Sequence, residues 1–549
     1  MVLSALAGAA LPVLAGCDLP VVSKGKGGSA SSSRSSTTAG GSASSGSSAK
    51  AGSTDWQKLD AHIMGHKVSV EVSPVIRQDE KTSIIALRLT RAKDDASIDA
   101  VANSYNGNDN KLSISNYLGV PSIFRPGTGA SLVKLLDLGS GRVWSAINGS
   151  GLFLDLAPGE KISSFLSFGK VDSDTVTVMV PMAGFVTVSV LEADAAKKAD
   201  VNLSIAQTSL DQSSHAAPEL AAPVTIDRYT RALDDSTSTQ AGGKNITVTL
   251  ASDVTFAPDS ADLASGAEAQ IQTVADQLKQ HPDGGTLTIV GHTDDIQDDA
   301  YNQTLSDKRA NAVKTRLEQL TSLDKWKTSV SGKGESQPKV KDTTDQARAA
   351  NRRVEITLTP TGGTAKKGAS ATPNNSGGAT LPDPQGPVAK GSEGVTLTSK
   401  GTDTSGEVII TLDHVTRTGG YLLGTITCTV KDGSTGAPLH ALLEDPQTLL
   451  ANQRGEDGGA LPTFNASDGL TLIASGERIF AADYRDADAE QHLPLTELNV
   501  SDHLKGGIAS VCVVWPDPGG DAVILDHPEG KYSPKGTAFR LTDIPVKNS

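Results

Sequence analysis

Three polar stretches rich in glycine and serine interrupt this chain, and they limit which parts of it can share one hydrophobic core. They span residues 17–54, 228–244 and 361–394. Segments of this composition bury too little apolar surface to offset the entropy that ordering them costs. We therefore interpret the first as a flexible tether and the other two as linkers. A chain of 549 residues is also too long for a single core, so we predict several domains.

Alternation of apolar and polar residues dominates two regions, at residues 55–227 and 395–549. Runs such as "KVSVEVSPVI" and "EVIITLDHVTRT" are separated there by turns rich in Gly, Pro, Asn and Asp. A period of two residues is typical of a half-buried strand. We therefore predict a mainly-β, sandwich-like domain in each region.

Residues 245–360 have a different pattern, in which strand and helix signals alternate. "NITVTLASDVTF" alternates as a strand, and apolar residues at helical spacing follow from Ile271 to Leu278. "TLTIVGH" indicates a second strand, a second helix is predicted to begin near Asn302, and "WKTSVSGKGE" and "RRVEITLTP" indicate two more strands. The order β-α-β-α-β-β predicts an α/β domain with its helices against one sheet. The predicted fold is thus multidomain, with this central α/β domain between two mainly-β domains.

Charged residues after the second strand and on the second helix form a candidate binding site. Asp294 lies just past the strand, where sheets of this kind present ligand groups. Asn302, then Leu305 or Ser306, and then Arg309 follow at a spacing that places them on one helix face. A carboxylate and a guanidinium held close together can bind a zwitterion, such as the free end of diaminopimelate in a peptidoglycan stem peptide. The alternative is an internal salt bridge between Asp294 and Arg309.

Four segments of this block occur in the order and spacing of a known family. "GHTDD", "YNQTLSDKRANAV", "GKGESQP" and "RAANRRVEI" resemble the OmpA-like peptidoglycan-binding domain, over about a fifth of the chain. The resemblance implies that Asp294 and Arg309 bind diaminopimelate. It also places Asn302 and Leu305 at matching helix positions and matches Arg353 with the arginine of the family's "NRRVE" strand, all three in supporting roles. The loop after "HTD" departs from many members, because Gln297 and several aspartates replace a glycine.

The N-terminal sequence "MVLSALAGAALPVLAGC" has the features of an export signal. Residues 1–16 are small and apolar, and the run is too short to span a bilayer, so we interpret it as a signal peptide. Its end, Leu14-Ala15-Gly16-Cys17, resembles the lipobox of bacterial lipoproteins, which implies that Cys17 carries a diacylglycerol. The alternative is an ordinary secretory peptide with an incidental cysteine. We expect an exported protein, anchored to the membrane by its lipid and facing the cell wall or periplasm.

The chain has 3 cysteines, and the other two lie in strand-like stretches near its C-terminus. If Cys17 is lipidated, Cys428 and Cys512 form an even pair in an exported domain, so a disulfide between them is expected. The alternative is two buried free thiols. No CxxC pair accompanies them, so no metal site is predicted. The acidic stretch from Asp483 to Glu490 is interpreted as a solvated loop rather than a calcium site.

Charge and missing motifs decide between classes of function. The formal net charge of -14 argues against nucleic acid and anionic lipid surfaces as partners. No HExxH, Walker A or GxSxG motif is present, and the tetrapeptide "SLVK" lies in a strand-like segment rather than at a helix start. We therefore predict a non-catalytic envelope lipoprotein, without cofactor, that links membrane to cell wall. The alternatives are a cell-wall enzyme or an adaptor, in which the OmpA-like domain only provides wall targeting and the flanking β domains bind protein partners.

Overall fold

The computed structural model describes thirteen segments of the chain. They are residues 50–95, 111–119, 130–146, 154–211, 222–364, 381–400, 405–431, 437–443, 466–485, 492–498, 503–504, 507–529 and 536–549. The predicted signal peptide, nearly all of the tether and Cys17 lie outside these segments. Within the described ranges, no helix combines the length and the apolar character that crossing a membrane would require.

The first β-rich region extends from Gln57 to Asp211 and contains eleven described strands. Strands β1, β2, β4 and β9 pair in that order, and every pair is antiparallel. Strand β3 pairs with both β4 and β11. From β11 the pairing continues to β10, then to β6 and then to β7. Two short helices and a 3₁₀ turn at Ala193–Ala195 complete the region. The elements are β1 (Gln57–Ile63), β2 (His66–Val72), β3 (Val75–Arg77), β4 (Thr82–Arg91), β5 (Leu112–Ser113), α1 (Ser115–Leu118), β6 (Lys134–Asp137), β7 (Arg142–Ser145), β8 (Asp155–Leu156), β9 (Lys161–Gly169), β10 (Thr175–Val180), β11 (Gly184–Glu192) and α2 (Leu203–Asp211).

The central block contains every strand and helix that the sequence predicts for it, together with two short additional helices, and strands β12 and β13 directly precede it. Its sheet has the order β13-β14-β17-β15-β16, in which only the β15–β16 pair is parallel. Helices α4 and α5 cover one face of this sheet, and the block has a hydrophobic core of its own. The elements are β12 (Val224–Ala232), β13 (Thr237–Gly242), β14 (Asn245–Ala251), α3 (Ser252–Thr255), α4 (Ala267–Gln280), β15 (Gly285–Gly291), α5 (Asp299–Leu320), β16 (Trp326–Gly332), α6 (Asp345–Asn351) and β17 (Arg353–Pro360).

Two glycines set the distance between α5 and the sheet. A Cβ on Gly291 would lie 2.2 Å from the Ser306 carbonyl oxygen, and a Cβ on Gly332 would lie 2.3 Å from Ser306 Oγ. No side chain fits at either position, so both strand ends reach the helix backbone directly. The contact fixes the first half of α5 against the ends of β15 and β16.

The last β-rich region begins at Val388, inside the third polar stretch that the sequence predicts to be a linker. Strand β18 pairs there with β31 in parallel, and β22 pairs with β29 over nine residue pairs. The elements are β18 (Val388–Lys390), β19 (Val395–Lys400), β20 (Ser405–Thr411), β21 (Val415–Thr418), β22 (Tyr421–Val430), β23 (Ala437–Pro438), α7 (Leu439–Leu443), β24 (Thr471–Ala474), β25 (Glu477–Ile479), β26 (Asp483–Arg485), β27 (His492–Pro494), β28 (His503–Leu504), β29 (Ile508–Pro516), β30 (Ala522–His527) and β31 (Phe539–Asn548).

The linker predicted at 228–244 is wrong, because this stretch forms most of a β-hairpin. Arg228 pairs with Ala241 and Arg231 with Ser238, and β13 continues into β14 through a two-residue turn in which Gly243 has a φ of 55°. Strand β12 also pairs with β7 of the first region and with β25 and β26 of the last. The stretch is therefore a junction of the fold rather than a flexible joint.

The two flanking regions do not have separate cores, contrary to the expectation of two independent sandwich-like domains. One hydrophobic core contains Val70 and Val188 of the first region together with Ile426 and Val513 of the last. Strand β29 contacts β1 and β11 directly. Each region covers apolar strand faces of the other, so the flanks pack as one unit while the central block keeps its own core.

The predicted disulfide between Cys428 and Cys512 is also wrong. On the paired strands β22 and β29, Cys428 lies opposite Ala509 and Cys512 lies opposite Thr425. The offset is three residues, and since side chains alternate between faces, the two sulfurs lie on opposite faces of the sheet. Both cysteines are free and buried. Burial raises the pKa of the Cys428 thiol to about 12 and that of Cys512 well above its usual value.

Candidate functional site

A cavity of about 300 Å³ lies where α3, the loop after β15 and the first turns of α5 meet. Four of the five predicted binding residues line it, namely Asp294, Asn302, Leu305 and Arg309. Asp294 lies on the loop that follows β15, and the other three lie on α5. This helix begins where Asp298 accepts a hydrogen bond from the Tyr301 N–H, an N-cap that sets the first turn.

Asp294 has a cationic partner in this cavity that the sequence interpretation missed. Arg352 donates from Nη1 to Asp294 Oδ2 over 2.6 Å, and its Nε and Nη2 bind both carboxylate oxygens of Asp253. These hydrogen bonds, led by the one to Asp253, raise the pKa of Arg352 above its usual range. One guanidinium therefore connects two carboxylates that line the cavity wall.

Arg309 lies in the same cavity, and no carboxylate among the described residues is its partner. Its side chain is only 5% exposed, its Nε donates to the Ser260 carbonyl oxygen over 2.9 Å, and its guanidinium carbon lies 5.1 Å from the Phe256 ring centroid. Burial lowers the pKa of Arg309, although Asp253 and Asp259 act in the opposite direction. Within the described part of the chain, Arg309 forms no salt bridge. The structure therefore does not contain the salt bridge between Asp294 and Arg309 that the sequence left open as an alternative.

Asn302 and Leu305 line the cavity in different ways. The buried Asn302 amide donates to the backbone oxygens of Asp294 and Gln297 and to Glu335 Oε2, at 3.2, 3.0 and 2.6 Å. The bonds to Asp294 and Gln297 fix the loop that carries Asp294, so Asn302 positions the site. Leu305 contributes a partly buried apolar side chain to the wall.

Arg353, the fifth predicted residue, is not part of this cavity. Its side chain is buried against Glu355 Oε1 at 2.7 Å and against the backbone oxygens of Asn351 and Gln337. Side chains alternate along β17, so Arg353 and Glu355 lie on the sheet face opposite to Val354. Arg352 comes two residues before Val354, which places it on the same side of the sheet as Val354. The helices cover the Val354 face. Strand alternation was thus the signal that could have selected Arg352 instead.

A second group of polar side chains could hold a divalent cation. In the described residues, Asp227, Asp483 and His492 place potential ligand atoms within 4.8 Å of one another. Asp227 lies opposite Asp483 in the β12–β26 pairing, and its Oδ2 is 3.1 Å from His492 Nε2. Asp483 is fully buried, so its interpretation as part of a solvated loop is wrong. The Asp227–His492 hydrogen bond joins β12 to the last region.

The chain is similar to envelope proteins over this block. Residues 255–352 match the profile of the OmpA family. Outer membrane porin F of Pseudomonas aeruginosa is 42% identical over 103 residues, which are 19% of this chain and 29% of the porin. Probable lipoprotein YiaD of Escherichia coli K12 is 34% identical over 119 residues, 22% of this chain and 53% of YiaD. The chain thus spans between 29% and 53% of the length of these two relatives.

Two solved structures are similar to the same part of the chain. The cell wall anchor of the T6SS from Pseudomonas aeruginosa is 28% identical and covers 23% of this chain and 90% of its own, with a TM-score of 0.21. The peptidoglycan-associated lipoprotein from Burkholderia pseudomallei is 30% identical and covers 19% and 86%, with a TM-score of 0.17. These TM-scores carry no argument about the fold of the whole chain. The family profile and the sequence relatives identify an OmpA-family domain at residues 255–352.

Proposed function

From its OmpA-family domain, we propose that this chain is a non-catalytic cell-envelope protein that binds peptidoglycan non-covalently through diaminopimelate of the stem peptide. One observation carries the proposal. The buried guanidinium of Arg309 lines a cavity without a carboxylate partner in the described chain, and the carboxylate of Asp294 lines the same cavity. A cation and an anion that are not bound to each other suit a ligand that carries both charges on one carbon.

The charges of the cavity support one orientation of the ligand's free end. The free end of diaminopimelate carries an ammonium and a carboxylate. Arg352 is already bound to Asp253 and Asp294, so the ligand carboxylate pairs with Arg309, and bidentate geometry favours arginine for this role. The ligand ammonium then binds Asp294, which retains acceptor capacity beside Arg352. Leu305 provides the apolar wall for the methylene chain that joins the two centres of diaminopimelate.

We also propose that the protein is exported and anchored by a lipid on Cys17, so that it links a membrane to the wall. The lipobox-like sequence supports this, as do relatives described as outer membrane proteins and as a probable lipoprotein. Acyl chains contribute about 0.8 kcal/mol per buried CH₂. A Cys17→Ala protein should therefore leave the membrane fraction, and its continued sedimentation with membranes would refute lipidation.

The absence of catalysis is part of the proposal, and two observations support it. The thiols of Cys428 and Cys512 are buried with raised pKa values, which suppresses the reactive thiolate. In "SLVK", Lys134 is the first residue of strand β6, and its Nζ donates to Ser145 Oγ over 3.1 Å. SxxK chemistry instead requires its serine at a helix start.

Co-sedimentation of the purified full-length protein with cell-wall sacculi tests the proposed function. The protein should pellet with sacculi that contain diaminopimelate, and free diaminopimelate should release it. A lysine blocked at its α-amino and α-carboxyl groups should release it poorly, because its side chain ends in an ammonium without a carboxylate on the same carbon. A zymogram of the same preparation should show no clearing. Protein that stays in the supernatant, or equal release by the blocked lysine, would contradict the proposed ligand, and clearing would identify an enzyme.

A further inference from the structure

Exposed apolar side chains cluster around the charged cavity. Ile296 and Tyr301 line the cavity and are 59% and 40% exposed. Val254 follows the cavity residue Asp253 in α3, and Leu263 forms a β-bridge with the cavity residue Phe256. Val254 and Leu263 are also among the exposed large hydrophobic residues of the described chain. A concentration of exposed apolar surface at a polar cavity marks a binding surface.

Backbone contacts hold the two rim residues at the cavity. The Ile296 N–H points to Asp294 Oδ1 at 3.4 Å, so Ile296 lies directly beside the carboxylate that is proposed to bind the ligand ammonium. The Tyr301 N–H donates to Asp298 Oδ1 over 2.9 Å at the start of α5. The backbone of both residues is thus fixed, and the Tyr301 hydroxyl also donates to the Asp259 carbonyl oxygen over 3.5 Å. The two side chains keep exposed apolar surface for a ligand to cover.

We propose that Ile296 and Tyr301 form an apolar rim that binds the methyl group of the alanyl residue joined to diaminopimelate. The inference rests on the proposed function and deepens it, because it makes the ligand a peptide rather than a free diamino acid. In stem peptides, diaminopimelate is joined to an acidic glutamyl residue on one side and to an alanyl residue on the other. An apolar rim suits only the second.

Charge at the rim favours the same choice. Asp298 and Asp299 precede Tyr301, and Asp295 precedes Ile296 with Arg348 as its partner. Asp298 and Asp299 would repel the glutamyl carboxylate, whereas the alanyl methyl has no charge to oppose. This acidic loop is where the chain departs from the glycine of many family members, so the selectivity would be a property of this chain.

The distance from the bound head group distinguishes the peptide from the glycan as the group that contacts the rim. Consecutive Cα atoms lie about 3.8 Å apart, and Cα atoms two residues apart, such as those of Asp294 and Ile296, lie at most about 7 Å apart. The alanyl residue is joined to the second centre of diaminopimelate, three methylenes from the bound centre, so its Cα lies within about 9 Å of the bound head group, a distance that the side chains at the rim shorten. The sugar lies beyond two further residues, roughly 10 Å or more along the chain. The rim therefore contacts the neighbouring residue of the peptide first.

Two ligands that differ by one methyl group test the proposal. Calorimetric titration of the purified full-length protein should give diaminopimelyl-D-alanine about fourfold tighter binding than diaminopimelyl-glycine, because burying one methyl-sized group contributes about 0.8 kcal/mol and 1.4 kcal/mol is a factor of ten. Ile296→Ser should reduce this ratio to about one. Tyr301→Gln should reduce the ratio in the same way.

Ile205→Ser is the matched control, because Ile205 lies on α2 and is 50% exposed. It should keep the fourfold ratio. Equal binding of the two peptides by the unmodified protein, or a ratio that survives Ile296→Ser, would overturn the proposed role of the rim. Binding of free diaminopimelate would still support the proposed function. A preference for muramyl glycan over both peptides would assign the rim to sugar instead. Failure to bind any of these ligands would overturn the proposed function and the rim with it.

Discussion

Arg352 Nη1 lies 2.6 Å from Asp294 Oδ2, so the carboxylate in the cavity is held by a cation of its own domain. The same guanidinium binds Asp253, which keeps both carboxylates from turning towards Arg309. Arg309 is thereby left available for a ligand carboxylate. A site fixed before the ligand arrives loses less entropy on binding.

Replacing Arg352 should weaken ligand binding through Arg309. In Arg352→Gln, Asp253 and Asp294 lose their shared partner and can compete with the ligand carboxylate for Arg309. We expect about tenfold weaker binding of diaminopimelate by calorimetry, equivalent to about 1.4 kcal/mol. The control is Arg348→Gln, since Arg348 pairs with the exposed Asp295 on the same segment. Unchanged affinity in Arg352→Gln, or an equal loss in the control, would contradict this role.

The close approach of α5 to the sheet should be sensitive to a single methyl group. In Gly291→Ala, the new Cβ would lie 2.2 Å from the Ser306 oxygen, so the helix must shift. Overpacking of this kind costs about 1–3 kcal/mol of unfolding free energy. Hydrogen exchange of α5 amides should therefore accelerate. Gly139→Ala is the control, because its Cβ would make an ordinary 3.6 Å contact. Normal protection of α5 in Gly291→Ala would refute the close packing.

The central block was predictable because its signals are local. Helical spacing and a strand period of two are read over a dozen residues, and both agree there with the observed elements. The hairpin at 228–244 was also readable, since β13 and β14 are joined by a two-residue turn with Gly243 at positive φ, a common hairpin connection. Its serines and threonines were instead interpreted as a linker. Turn residues are the more specific signal there, because a linker and a hairpin can share the same composition.

Partners that are distant in sequence could not be predicted in the same way. The shared core of the flanks brings strands together across more than two hundred residues, and no local pattern encodes that pairing. Arg352 and Arg353 are adjacent in sequence, and only their positions relative to the buried Val354 face separate their roles. The disulfide prediction for Cys428 and Cys512 is wrong for a similar reason, because a register offset of three residues decides which face of the sheet each sulfur occupies.

Cys428 and Cys512 should react as two free thiols once the protein is unfolded. Each is buried and lies on a different sheet face, so neither can bridge to the other. Labelling in denaturant without reductant should modify both, and labelling of the folded protein should modify neither, because burial raises both thiol pKa values. Mass spectrometry of the peptides identifies the sites. Recovery of a Cys428–Cys512 linked peptide would contradict the sheet register.

Glu497 should make the stability of the flanking unit depend on pH. Its Oε1 accepts hydrogen bonds from the N–H groups of Met182 and Cys512, and burial raises its pKa to about 7 from 4.5. The folded state therefore holds this proton more tightly than the unfolded state. The contribution of Glu497 to the free energy of unfolding is fully present below pH 4.5. It is lost as the pH rises through about 7, and the loss is on the order of 3 kcal/mol.

The variant Glu497→Gln keeps an acceptor for both N–H groups and cannot ionise. Calorimetric unfolding should show it gaining stability relative to the unmodified protein as the pH rises from 4.5 to 7.5. The comparison of the two proteins cancels other titrating groups, including His292, whose pKa is lowered to about 4 by burial and by Arg353. A constant difference between the two proteins over this range would show that Glu497 does not titrate there.

The central claim is that Asp294 and Arg309 hold the two charges of one diaminopimelate centre. The most direct measurement is calorimetric titration of the full-length protein with diaminopimelate, comparing Asp294→Asn and Arg309→Lys with Arg316→Gln. Arg316 lies on the same helix and pairs with Glu268. Hydrogen bonds to charged groups contribute about 1.5–3 kcal/mol, so each site variant should bind roughly ten- to a hundredfold more weakly while remaining folded, and the control should bind normally. Folded Asp294→Asn and Arg309→Lys proteins that bind with unchanged affinity would contradict the claim.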